Sequence, residues 1–332
     1  MPEQGGIWVG TSRPCMIATI VALVVAAATG SAYANDNWPA QPVRLIVPSS
    51  PGGGTDVFAR LLAQSLTEAT KQSFIVENRP GASGNIGAQA AAAAAPDGYT
   101  FLVASNSSIA INPFLLNSPS LDVRRDLVPV ARGVMSVNAL IVNPSLPAKN
   151  LAEFVALAKK QPDTLAFGSA GTGSSPYLGV RMMEEIAGVK FMHVPYKGLG
   201  PAYQDLLAGR LQFMYADLAS SMAYIKSGKV SVLAVDRKTG LLPNAPTFSE
   251  AGWPTFDSPI SFSVLAPAKV PPAILQQMAT EVSKALKTIA PRLEQQGLVP
   301  VYDTPAEFDA SLKKERADWA TFIQRNSITA DQ

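Results

Sequence analysis

From about residue 43 onward, short apolar runs alternate with stretches of helical spacing. "VRLIVP" reads as a strand, and apolar positions recur at helical intervals from about Thr55; "FIVEN", the alanine-rich "NIGAQAAAAAA" and "YTFLVAS" continue the alternation. This βαβαβ order predicts a parallel sheet covered on both faces. A second series runs through "LAEFVALAKK", "LAFGSA", "PYLGVRMMEEIAG", "FMHVPY", "PAYQDLLAG", "LQFMYAD", "ASSMAYIKSG" and "VSVLAVD". Two such series predict an α/β fold of two lobes, each a mostly parallel sheet flanked by helices. The aperiodic stretches "NPFLLNSPSLDVRRDLVPVARG" and "RKTGLLPNAPTFSEAGWPTFDSP" fall where one lobe would pass to the other and back. The expected division is 35–136 plus 259–332 for the first lobe and 137–258 for the second.

Toward the C-terminus, "TPAEFDASLKKERADWATFIQRN" opens on Thr304 and Pro305 with Glu307 three residues after the threonine, a capping box with proline at the first helical position. Phe308, Leu312, Trp319, Phe322 and Ile323 then share one face at helical spacing, which marks a face for the core.

The N-terminal residues have another pattern. Arg13 precedes the apolar run "CMIATIVALVVAAA", and Ala32, Tyr33 and Ala34 supply small residues for cleavage. The run is shorter than the roughly 20 apolar residues of a spanning helix. Residues 1–34 therefore read as a signal peptide, cleaved after Ala34, that delivers a soluble exported protein. Cys15 is the one cysteine of the chain and would leave with that segment, so no disulfide, thiol nucleophile or thiolate metal site is expected.

Composition narrows the partners. The chain has 332 residues, 47% hydrophobic and 16% charged, with a formal net charge of +2, so it can bury two cores and offers no basic stripe to nucleic acid. His193, the single histidine, sits in a strand-like run, and no metal or other cofactor is expected.

Candidate chemistry lies in the loops after strands, where open α/β sheets bind ligands. The first, "PSSPGGGTD", brings Ser50, Gly53, Gly54, Thr55 and Asp56 to a helix start, where free N–H groups and the helix dipole suit an anion. It is neither nucleotide motif: Val57 stands where a dinucleotide fingerprint needs glycine, and no Gly-Lys-Ser/Thr is present after it. Asp56 reads first as a cap, and as a contact for a ligand ammonium second. The second loop, "FGSAGTGSSP", repeats the physics with Thr172, Gly173 and Ser174 and lacks the leading glycine of a nucleophile elbow. Ser105 and Ser107 come after "FLVA", while Tyr196 and Asp217 end further strands and are as consistent with a turn and a helix cap as with a ligand contact. Two donor-rich loops, one per lobe, would clamp a small carboxylic or amino acid.

With those blocks identified, the sequence resembles the extracytoplasmic solute receptors of tripartite tricarboxylate transporters, the Bug receptors. The resemblance is carried by "WPAQPVRLIVPSSPGGGTDVFARLLAQ", "VENRPGASGNIGAQ", "APDGYTFLVAS", "INPFLL", "HVPYKGLGPAYQDLLAGRLQFMYADLASSMAYIKSGKVSVLAV", "PTFSEAGWPTF" and "TPAEFDA", in order from about Trp38 to near the end. It implies a two-lobed periplasmic binding protein that closes on a small carboxylated solute and delivers it to membrane permease subunits, without catalysis. Carried over by position, it implies a carboxylate grip by Gly53, Gly54 and Thr55 and by Thr172, Gly173 and Ser174, partly through bridging waters. The chain departs from the family pattern at Ser49 and Ser50 and in "ASNSSIAINP". Two other classes fit the residues less well: an exported serine hydrolase acting on carboxylate esters, which would lack an elbow, and the sensing domain of a cytosolic regulator, which conflicts with the signal peptide.

Overall fold

The computed structural model describes residues 1–6, 38–116 and 122–330. The expected signal peptide and its cleavage site after Ala34 fall, beyond residue 6, outside these described residues. Residues 1–6 carry no helix or strand. Met1–Asn37 and Trp38–Gln332 are separate units, and the second holds the whole α/β architecture.

That unit is built on two sheets. The first contains β1 (Val43–Val47), β2 (Phe74–Asn78), β3 (Thr100–Ser105), β4 (Leu127–Ser136), β10 (Ile260–Pro267) and β11 (Leu298–Pro300), in the order β11-β4-β10-β3-β1-β2. The second contains β5 (Asn138–Val142), β6 (Ala166–Ser169), β7 (Met192–Pro195), β8 (Phe213–Asp217) and β9 (Ser231–Val235), in the order β7-β6-β8-β5-β9. Helices cover both, as expected of a two-lobed α/β protein. Both sheets are mixed where mostly parallel ones were expected. β1 lies parallel to β2 and β3, and β6 to β7 and β8, but β10 runs antiparallel to β3 and β4, and β5 antiparallel to β8 and β9. The antiparallel strands are the ones next to the crossings between sheets, where the chain arrives from the other sheet and not through a right-handed βαβ crossover.

Alternate residues of the central strands enter different cores. Leu45 faces one apolar cluster and Ile46 another, while Leu140 and Val142 share the first with Leu45, and Ala139 and Ile141 enter a third. Burial on both faces is why these strands read as continuous apolar runs. Helix Gly54–Thr70 packs Phe58, Ala59, Leu62, Ala63 and Leu66 onto the first cluster. Helix Pro305–Arg325 has the expected capping box and buries Phe308, Leu312, Trp319, Phe322 and Ile323.

One residue, Val137, separates β4 from β5, so the first passage between sheets is almost a continued strand. Its N–H donates to Gly297 O at 2.7 Å and its carbonyl accepts from Leu218 N at 2.8 Å. The stretch expected as the first crossover, residues 112–133, instead ends inside β4. Residues 236–259 run from β9 of the second sheet to β10 of the first. Asp236 joins the two passages by accepting from Asn138 N at 2.9 Å and Asn138 Nδ2 at 2.7 Å.

Candidate functional site

Four helices begin at one cavity between the sheets. Helices Gly54–Thr70, Ser175–Ala187, Leu199–Leu207 and Leu218–Lys226 come after β1, β6, β7 and β8, and the cavity wall includes Gly53 and Gly54, Ser174, Gly198 and Asp217 from their starting residues. The cavity measures about 70 Å³. On the same measure one water needs roughly 10–15 Å³, so there is room for several waters or a small organic acid. The N-terminal ends of helices carry partial positive charge, and four of them in one hollow favour an anion; at the starts of Ser175–Ala187 and Leu218–Lys226 the protein itself takes up Ser175 N, Tyr177 N, Leu218 N and Ser220 N, so there the dipole acts more than free amides.

Glycine and proline shape the first loop. Gly52 has φ +81°, a left-handed conformation costly for residues with a Cβ, and its N–H donates to Asp56 Oδ2 at 3.0 Å. Asp56 uses both oxygens inside the protein, on Gly52 and Arg60 through Oδ2 and on Asn78 Nδ2 through Oδ1 at 2.9 Å. Burial raises its carboxyl, but the bonds to Arg60, Gly52 and Asn78 together outweigh that and hold it below the ordinary value. Asp56 therefore caps and ties the loop, and lies outside the cavity wall. Ser50, Gly53, Gly54 and Thr55 are in the wall.

The second loop is fastened from behind. Ser169 Oγ lies 2.7 Å from His193 Nε2 and accepts from Gly171 N at 3.1 Å. His193 itself stacks on Phe167 and meets the tilted ring of Tyr177, with ring centroids 4.9 and 4.6 Å away. This serine–histidine pair could suggest a nucleophile, yet Ser169 is 0% exposed and does not reach the cavity. Ser174 caps its helix by accepting from Tyr177 N, donates to Gly171 O at 2.6 Å, and lines the cavity. Thr172 and Gly173 do not line it. Thr172 is buried, and Gly173 N donates across the cleft to Ser83 Oγ at 3.2 Å.

Of the remaining candidates, Ser105, Ser107 and Asp217 line the cavity, whereas Tyr196 does not. Tyr196 donates to Asp205 Oδ2 at 2.5 Å, and burial together with that carboxylate pushes its phenol up to about 12. Ser107 Oγ meets Ser175 Oγ and accepts from Ser175 N, both at 2.8 Å, while Ser175 Oγ donates to Asn106 Oδ1 at 2.7 Å. These bonds join the end of β3 to a helix of the other sheet. Asp217 caps its own helix by accepting from Ser220 N at 2.8 Å, and desolvation raises its carboxyl above the ordinary value.

The wall also contains Ser49, Ser83, Lys197 and Gly198, loop residues that the sequence offers as turns no less than as ligand contacts, and Phe262, which the sequence pattern does not single out. Ser49 is the informative one, because its buried hydroxyl has no hydrogen-bond partner in the protein. Its position in the first glycine loop is visible in the sequence, but its side-chain direction is not. Ser83 stands in a glycine loop that the sequence shows, but its φ of +51°, between Gly81, Ala82 and Gly84 that also have positive φ, is not visible there.

The family model described as "Tripartite tricarboxylate transporter family receptor" matches residues 58–328. The chain belongs to that family. The protein BugT of Bordetella pertussis is 34% identical over 315 residues, covering 93% of this chain and 96% of the relative. The solved structure of the periplasmic binding protein BugD superposes with a TM-score of 0.82 at 29% identity, over 89% of this chain and 100% of that one. The structure of Rpa4515 from R. palustris, with adipate, gives a TM-score of 0.83 at 31% identity, over 88% and 99%. Members of this receptor family are periplasmic binding proteins, and the two-lobed α/β fold is theirs.

Proposed function

We propose that the protein is an exported solute receptor that closes its two lobes on a small carboxylated solute and delivers it to the membrane subunits of a tripartite transporter. The observation that carries this reading is the convergence of four helix starts on one cavity walled by glycines and hydroxyls. Residues 35–136 with 259–332 form one lobe and 137–258 the other, after removal of residues 1–34 on export. The solute carboxylate is held by the amides of Gly53, Gly54 and Thr55 and by hydroxyls of Ser49, Ser50, Thr55 and Ser105, while Ser107 and Ser174, whose protons go to Ser175 Oγ and Gly171 O, shape the wall. No bond of the solute is made or broken; binding shifts the lobes toward the closed arrangement in which Gly173 meets Ser83. A related receptor holds adipate, which supports a dicarboxylate or similar small acid as the class.

Micromolar affinity corresponds to about 8 kcal/mol, which a few bonds to a charged oxygen plus desolvation can supply. Calorimetric titration with small mono- and dicarboxylates tests the reading: at least one acid binds stoichiometrically, and Ser49→Ala weakens that acid about tenfold while the unfolding temperature stays at the wild-type value. Silence toward every acid, together with covalent labelling of a cavity serine by a serine-reactive probe, would favour a hydrolase instead.

A further inference from the structure

We propose that Asp217 makes the receptor selective for acids that also carry a hydrogen-bond donor, an ammonium or a hydroxyl, over the plain acid of the same length. The inference rests on the receptor reading of the cavity. Asp217 is 3% exposed and forms part of the cavity wall. Its carboxylate lies against bare glycine backbone: a Cβ built on Gly54 would stand 2.3 Å from Oδ1. Oδ1 accepts from Ser220 N at 2.8 Å, and Ser220 Oγ turns to the Asp217 main-chain carbonyl at 3.2 Å. None of the groups acting on the carboxyl is a cation, and no Lys or Arg forms an ion pair with Asp217 among the described residues. Lys197 also reaches the cavity wall, but from an exposed position.

The chemistry of the wall is therefore uneven. Ser49, Ser50 and Thr55 offer hydroxyls and the start of helix Gly54–Thr70 offers N–H groups, all suited to the oxygens of an acid. Asp217 offers only acceptors when ionised, and a carboxylate withdrawn from water without a cation is unfavourable until a donor meets it. A plain acid would place methylene groups or a second carboxylate there and leave the charge uncompensated, or repelled. An ammonium or hydroxyl beside the acid group supplies the missing donor, so the site takes amino or hydroxy acids. Burial outweighs the hydrogen bonds from Ser220 and the main chain and raises the Asp217 carboxyl, as expected where no cation offsets the charge.

The test uses matched sets: succinate, malate and aspartate, then glutarate, 2-hydroxyglutarate and glutamate, then propionate, lactate and alanine, each titrated calorimetrically into the wild-type protein and Asp217→Asn. Asparagine caps helices as well as aspartate does and keeps an acceptor for Ser220 N, so the variant retains the cap. The wild type is expected to bind a donor-bearing acid at least about tenfold more tightly than its plain counterpart, and Asp217→Asn to erase that preference while binding the plain acid as well or better. Equal wild-type affinities, or a preference that survives in Asp217→Asn, would overturn the proposal and leave the receptor intact. Proton uptake on binding of a plain acid, read from buffers of different ionisation enthalpy, would also overturn it, by making Asp217 a neutral donor. If no acid binds at all, the receptor reading itself falls. Should Asp217→Asn fail to fold, the wild-type comparison within each set decides alone.

Discussion

Gly173 shows what a single missing Cβ does in this protein. A Cβ at that position would stand 2.0 Å from Asn112 Oδ1 and 3.3 Å from Ser83 Cβ, both contributed by the first sheet's side of the cleft. Asn112 cannot swing aside freely, since it is buried and its Nδ2 donates to Ser83 O at 2.9 Å. Gly173 does not have positive φ, so alanine there strains nothing within its own lobe. Gly173→Ala is therefore expected to oppose closure alone: solute affinity falls by more than about tenfold in calorimetry, while the solute-free protein unfolds at the wild-type temperature. The sequence displays this glycine as a candidate ligand contact, and the structure gives it to the lobe-to-lobe contact instead. Loop composition reveals which residues sit at a strand's end; whether an amide faces the cavity or the opposite lobe depends on the closed geometry, which no local pattern encodes. Ser50, Gly53, Gly54 and Thr55 are legible because a strand, a glycine run and a helix start succeed each other directly. Asp56 reads first as a cap in the sequence and ties its loop to Arg60 and Asn78 in the folded chain, whereas Tyr196, open there between a turn and a ligand contact, is engaged by Asp205.

Among elements, the contrast lies between helix Pro305–Arg325 and strands β4 and β10. The helix announces itself through Thr304, Pro305 and Glu307, and both halves of the capping box are present. Thr304→Ala is expected to destabilise the protein by about 1 kcal/mol, lowering the thermal midpoint by roughly 2 °C with solute affinity unchanged. β4 is not legible: Pro129, Arg132 and Gly133 interrupt its apolar pattern, and the proline is tolerated because β11 pairs only with residues 134–136. In β10 the buried Ser261 and Ser263 mimic a half-exposed strand although every residue is buried. Their mixed polarity hides the two strands that make the first sheet mixed. The parallel unit β1-β2-β3 is legible because its strands carry continuous apolar runs and close on turn residues.

At the scale of the whole molecule, several buried acids govern the response to pH. Desolvation raises the carboxyls of Asp217, Asp236 and Glu315 above their ordinary values of 3.8, 3.8 and 4.5. Between the ordinary and the raised value the folded protein binds more protons than the unfolded chain, so acidification through that window stabilises the fold, and the gain is lost as pH rises through the raised values. Asp122, Asp126 and Asp205 are lowered by hydrogen bonds to Arg124, Arg125 and Arg210, and their contribution is lost only below 3.8. The thermal midpoint is thus expected to rise as pH falls from neutral toward the ordinary carboxylate range, then to drop in stronger acid; a scan of unfolding temperature against pH reads both limbs.

Much of the wall of the cleft is backbone supplied by the first turns of helices, and no codon change can alter the chemistry of a main-chain N–H. Adaptation to a new nutrient must then work through the few side chains set among those amides, such as Ser49, Ser83 and Asp217. A receptor built in this way can exchange one cargo for another in a small number of mutational steps, without renewing the part of the site that recognises an acid.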